Sequence, residues 1–321
     1  MKQVNGAAVF RLVLVCIIGV GCATDAERAA PAPAEQRAAA APVPMDALPA
    51  ESTGGFDGAR ALMHVEKLVA IGPRPSGSAG IRQAQEYIRA QLQSFSCNIE
   101  EDNFEASTPA GRLPMKNIVA KIAGASANVV LLLTHYDTKR LANFVGANDG
   151  GSSTGLMLEM ARQLCGKKTG ASVWIAFLDG EEALVEWSDA DSTYGSRQMA
   201  ARLALGSELK RVKAVVLADM IGDRDLGLRR ESNSTGWLTE LVWSTAKRLG
   251  YEKHFLSGTQ SIEDDHIPFL RRGLPAVDLI DFDYPPWHTT GDTLDKVSAR
   301  SLGVVGHVVL ETVKELEKKV R

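Results

Sequence analysis

At 321 residues, with 45% hydrophobic and 23% charged content, the chain has ordinary soluble composition and enough apolar residues to bury one large core. A net charge of −3, with no stripe of Lys and Arg, excludes the electrostatic footprint of a nucleic-acid-binding protein.

Lys2 and Arg11 precede an apolar run, residues 12–21, that ends at Cys22. A basic start, a run too short for a comfortable membrane span and small residues before the cysteine read as a secretory signal over residues 1–21. Gly19-Val20-Gly21-Cys22 also resembles the bacterial lipoprotein cleavage box, although Gly19 stands where leucine is usual. The expected product is an exported protein, periplasmic or secreted, whose only membrane attachment would be a lipid at Cys22. Residues 22–55, rich in Ala, Pro, Glu and Ser, read as a semi-extended linker, leaving residues 56–321 as the folded domain.

Residues 59–69 carry Leu62, Val65, Leu68 and Val69 at helical spacing, and residues 79–95 repeat the pattern with Ile81, Ile88, Leu92 and Phe95. Pro73 and Pro75 force a loop between them. Residues 97–105 and 116–122 alternate as half-buried strands, and residues 129–134 form a buried strand ending at His135-Tyr136-Asp137. A glycine-rich turn over residues 146–152 opens a helix that reaches Leu164. The apolar run 173–178 is a buried strand that stops at Asp179-Gly180-Glu181-Glu182. Then come a helix over 194–205, a buried strand over 212–218 ending at Asp219, a helix over 234–249 and a short helix over 264–271. A strand over 275–280 and a long helix from Ala299 close the chain. Strand and helix in alternation predict a three-layer α/β sandwich with a mixed, mostly parallel central sheet. Cys97 and Cys165 fall on separate elements and read as buried, unpaired thiols, with a disulfide as the alternative in an exported protein.

Ligands of such sheets bind beyond the carboxyl ends of the strands. His135, Asp137, Asp149, Glu181, Glu182 and Asp219 all fall there, and Trp287-His288 follows the last strand. Each has a bland explanation alone: the glutamates as acids opening a helix, Asp149 as a turn residue, Asp219 as a cap, His288 as a loop histidine. Gathered at one edge, so many acids need a divalent cation. Imidazole with carboxylate oxygen is the ligand set of catalytic zinc.

His135-x-Asp137, Asn148-Asp149-Gly150, Asp179-Gly180-Glu181-Glu182, Asp219 and His288 resemble the ligand array of secreted di-zinc aminopeptidases. More specifically, Trp187-Ser188 after the glutamates, Asp191-Ser192-x-Tyr194-Gly195-Ser196-Arg197, the run 264–273 and Trp287-His288-Thr289 resemble the glutaminyl-peptide cyclotransferases. That resemblance runs from about residue 56 to the C-terminus. It implies one zinc held by Asp149, Glu182 and His288, with Glu181 as general acid and base and Asp219 and Asp264 as a hydrogen-bonded shell beside it. Trp187 and Trp287 would wall a small pocket for the N-terminal glutamine of a peptide or protein, which is cyclised to pyroglutamate with release of ammonia. Trp174 belongs to the core. The histidine that animal cyclotransferases carry near the metal falls here on Asp278. A second metal on His135 and Asp219 would instead make a di-zinc aminopeptidase. A non-catalytic binding domain, the third reading, would call for a lost base or ligand, and none is lost.

Overall fold

Strands that are apolar at every position must be covered on both faces, and the computed structural model, which describes residues 46–319, covers them with helices. In chain order the elements are α1 (Gly58–Ile71), α2 (Ala79–Ser94), β1 (Asn98–Thr108), β2 (Gly111–Ile122), β3 (Gly124–His135), α3 (Gly151–Leu164), β4 (Thr169–Leu178) and α4 (Tyr194–Leu205). They continue with β5 (Val212–Asp219), β6 (Leu228–Glu231), α5 (Gly236–Arg248), β7 (Phe255–Gln260), α6 (Ile267–Leu270), β8 (Ala276–Ile280) and α7 (Ala299–Lys319). The main sheet has the order β1-β2-β4-β3-β5-β8. Its β4, β3, β5 and β8 run parallel, while the β1–β2 hairpin joins antiparallel through β2.

The two-residue period of each central strand splits its side chains between two cores. Val130 and Leu132 of β3, Val173, Ile175 and Phe177 of β4, and Ala214 and Val216 of β5 pack with α1, α3, α5 and α7. Their neighbours Leu131, Leu133, Trp174, Ala176, Val215 and Leu217 pack with α4 and Phe269 of α6. Trp174 is therefore a core residue, as expected. The helices begin where the sequence supplies acceptors: Asp57 takes the N–H groups of Ala59 and Arg60 at the start of α1, and Ser78 takes that of Ile81 in α2. No described helix is long and apolar enough to cross a membrane.

Two expectations change, and one small sheet was not foreseen. Cys97 and Cys165 are joined in a disulfide, with Cα atoms 5.2 Å apart. The left-handed turn at Ser96 after α2 (φ 58°) sets Cys97 against the end of α3, a tertiary proximity that spacing does not reveal. Residues 46–55, the described part of the expected tether, pack against the domain. Residues 50–53 form a 3-10 turn, Thr53 is fully buried, and Asp46 accepts from the Ser298 hydroxyl. Finally, β6 and β7 pair in a small parallel sheet of their own. Polar stretches such as Arg229-Arg230 and Ser257-Gly258-Thr259 carry no apolar alternation to announce them. The signal segment and Cys22 lie outside the described residues.

Candidate active site

The carboxyl edge of the parallel strands gathers the predicted polar residues. His135 ends β3, Asp219 ends β5, Glu181 and Glu182 follow β4, Asp149 precedes α3, and His288 lies in the loop after β8. Asp137 organises the turn after β4 by accepting the N–H groups of Glu181 (3.2 Å) and Glu182 (3.3 Å). Gly180 makes that turn with φ 72°, and a Cβ there would stand 2.7 Å from the Met115 sulfur. The Asp149 loop is held by Arg74, which is fully buried and donates to the carbonyls of Tyr136, Val145 and Gly146. Burial lowers this guanidinium to about 10, with Asp292, Asp149 and Asp137 opposing. Asp292 completes the cradle by accepting the N–H groups of Asn148 and Asp149.

Two groups of three side chains share Asp149 and have ligand atoms within 4.8 Å of one another: Asp149, Glu182 and His288, and His135, Asp149 and Asp219. In the first, His288 Nε2 lies 3.2 Å from Glu182 Oε1 and 3.3 Å from Asp149 Oδ2. Ligand atoms at about 2.0–2.1 Å around one tetrahedral zinc are separated by about 3.3 Å, so the spacing fits a shared ion. Asp149 Oδ2 and Glu182 Oε2 are buried without a hydrogen-bond partner, as free ligand atoms would be. Lys139 stands 3.6 Å from Glu182 Oε2. In the second group His135 Nε2 lies 3.0 Å from Asp219 Oδ1 and 3.3 Å from Asp149 Oδ1.

Titration records the crowding of negative charge. Burial, then the charge of Asp149, pushes Glu182 up to about 7 against the pull of His288. Burial pushes Glu181 well above the usual carboxylate range; His135 opposes it, while Glu182, Asp264 and Asp265 add to it. Burial disfavours charge on His288, yet its contacts with Asp149 and Glu182 lift it to about 9. A dication would relieve this crowding.

Above the acids opens a cavity of about 430 Å³, lined by Trp187, Trp287, Phe282, Ile262 and Met220 and floored by Glu181, Asp219 and Asp264. Trp287 stacks on His288, ring centroids 4.0 Å apart, and Phe282 leans on Trp287 at 4.7 Å. Trp187 is carried by a loop that Asp191 builds, its carboxylate accepting the N–H groups of Leu184, Val185 and Glu186. Asp149, Glu181, Glu182, Trp187, Asp219, Asp264, Trp287 and His288 thus line one cavity, with His135 against Asp219. The hydrogen bonds expected around Glu181 run elsewhere, however: Asp219 accepts from His135 and the Met220 N–H, Asp264 from the Asp265 N–H. Sequence reasoning missed Arg74, Lys139, Phe282 and Asp292. Of these only Lys139, two residues after Asp137, carried a positional signal.

A mostly parallel sheet with a histidine–carboxylate cluster at its carboxyl edge, under an aromatic-walled cavity, defines a zinc-exopeptidase-like fold with a candidate metal site. The model of the family described as Peptidase family M28 matches residues 117–313. A mouse glutaminyl-peptide cyclotransferase-like protein is 36% identical over 257 residues, covering 68% of this chain and 66%, just under two thirds, of that protein's length. A glutaminyl-peptide cyclotransferase from Bothrops jararaca is 32% identical over 74% of this chain and 77% of its own. The crystal structure of an Acidobacteriales bacterium glutaminyl cyclase superposes with a TM-score of 0.79 at 40% identity, covering 82% of this chain and 96% of that one. The chain belongs to peptidase family M28, in the branch that holds the glutaminyl-peptide cyclotransferases.

Proposed function

We propose that the chain is a zinc-dependent glutaminyl-peptide cyclotransferase, converting the N-terminal glutamine of peptides or proteins to pyroglutamate with release of ammonia. The observation that carries this reading is the small aromatic cavity seated on the Asp149, Glu182 and His288 triad, with Glu181 beside it. One zinc held by that triad would polarise the side-chain amide of the substrate and stabilise negative charge on its oxygen. The remaining work falls to the chain. Trp187, Trp287 and Phe282 confine the side chain so that it folds back on the substrate's own amine, which makes the attack intramolecular. Glu181 accepts a proton from that amine and returns it to the departing nitrogen, a task suited to a carboxyl lifted by burial. His135, hydrogen-bonded to Asp219, supplies positive charge where a second ion would otherwise sit.

The group formed by His135, Asp149 and Asp219 favours a second reading, a di-zinc aminopeptidase in which a metal-bound water cleaves the peptide bond. One experiment separates the two: incubate a Gln-dipeptide and a chromogenic aminopeptidase substrate with the same purified sample and count its zinc. Ammonia from an intact dipeptide with about one zinc supports the cyclotransferase. A cleaved peptide bond with two ions bound supports the aminopeptidase. In either case we assign residues 1–21 to an export signal and the chain from Asp46 onward to the catalytic domain. The Cys97–Cys165 disulfide supports an oxidising compartment. Mass spectrometry of the mature N-terminus tests for lipid on Cys22.

A further inference from the structure

Behind the cavity wall lies a second cluster of buried charge that the reaction as described does not use. Asp264 lines the cavity with its Oδ2 buried and unpartnered. Deeper in, Asp278 of β8 is fully buried with neither carboxylate oxygen hydrogen-bonded. Burial, then the charges of Asp264 and Asp219, pushes Asp278 well above the ordinary range. Facing it, His266 Nδ1, buried and without a hydrogen-bond partner, lies 3.9 Å from Asp278 Oδ2. The other ring nitrogen, Nε2, lies 3.0 Å from Glu231 Oε2.

Glu231 is a fixed anchor. Its Oε1 accepts from the Asn233 N–H and side-chain amide and from the Ile262 N–H; its Oε2 accepts from the Ser234 N–H and hydroxyl. Burial would raise this carboxyl, but the contact with His266 and these donors hold it at about 2. The Ser234 hydroxyl in turn accepts the N–H of Asp278, closing a loop between anchor and acid. The bland explanation is that Glu231 only closes the turn from β6 to α5. That role would use the backbone donors of residues 233 and 234. It leaves unexplained a fully buried imidazole standing between the glutamate and an otherwise unanswered aspartate.

Resting on the cyclotransferase reading, we infer that Glu231 and His266 are positioning residues: Glu231 holds the His266 ring and the Ile262 N–H, fixing from both ends the segment that carries Asp264 to the cavity wall, with Asp278 beside His266 and tied to the same anchor through Ser234. The small β6–β7 sheet is thereby tied to the reaction, since β6 ends at the anchor.

The test is a double-mutant cycle of Glu231→Gln and Asp278→Asn on full-length zinc protein, with His266→Asn as a second probe should Glu231→Gln fail to fold. Glu231→Gln is expected to lower kcat for ammonia release by about tenfold, with KM and bound zinc unchanged; in the Asp278→Asn background the same change costs less than about twofold. An unchanged kcat per zinc, or equal losses in both backgrounds, would overturn the inference and leave Glu231 a turn-closing residue. If the wild type releases no ammonia, the functional reading fails, and the cycle is read on melting temperature. There, additive shifts refute the network and non-additive shifts uphold it.

Discussion

Glu181 and Glu182 are neighbours in the chain that answer to different partners. Glu182 is spoken for by His288 at 3.2 Å and Lys139 at 3.6 Å, which fits a metal ligand held in place. Glu181 has His135 Nδ1 at 3.9 Å and otherwise faces the cavity. Glu181→Gln is therefore expected to keep its full zinc content while ammonia release falls by about 10²–10⁴-fold; full activity in a zinc-loaded sample would remove Glu181 from proton transfer. These residues were legible because each is an ionisable side chain placed where an apolar pattern stops. Arg74 was not, since a proline-rich loop reads as solvated. Its burial follows from three carbonyls contributed by residues more than sixty positions away.

Among the elements, α3 connects the site to the opposite edge of the sheet. Its first turn follows Asp149, and its C-terminal end leads to the disulfide, about 20 Å away for 14 residues. The bridge spans 68 positions of chain, so replacing both cysteines by serine should cost about 2–5 kcal/mol. Thermal unfolding would register that loss, while kcat of the folded protein stays near its wild-type value; a collapse of kcat below the melting transition would contradict this separation of ends. Element types were legible wherever a period of two or 3.6 ran long enough, as in β3, β4 and α2. They were not legible in β6 and β7, whose pairing rests on backbone hydrogen bonds and on docking beside β8. The same blindness hid the disulfide, because the approach of α2 to α3 depends on tertiary packing.

For the whole molecule, the dominant electrostatic fact is an excess of buried carboxylates at one edge. In chelated protein, Glu182 and Asp265, both pushed to about 7 chiefly by burial, bind protons in the native state that the unfolded chain has released. Their contribution is present at low pH and lost as pH rises toward 7. His288, lifted to about 9, loses its contribution as pH rises from its unfolded value through 9. Both trends have the same sign, so the metal-free protein should lose stability steadily between about pH 5 and pH 9. Zinc, which binds the deprotonated ligands, should restore more stability at the upper end. Melting curves with and without chelator across that range check the sign; a gap that narrows with rising pH would show that the acids do not form the metal site.

The stacking of Trp287 on His288 makes one indole an optical neighbour of the candidate metal site. A protonated imidazole quenches indole fluorescence, and a metal ion held by His288 would displace that proton. The emission of Trp287 would then report occupancy directly: adding zinc to chelated protein should brighten the spectrum with the stoichiometry of binding, and Trp287→Phe should silence the response. A chain whose pocket wall lies flat on its candidate metal ligand carries its own gauge of how much of a preparation is active.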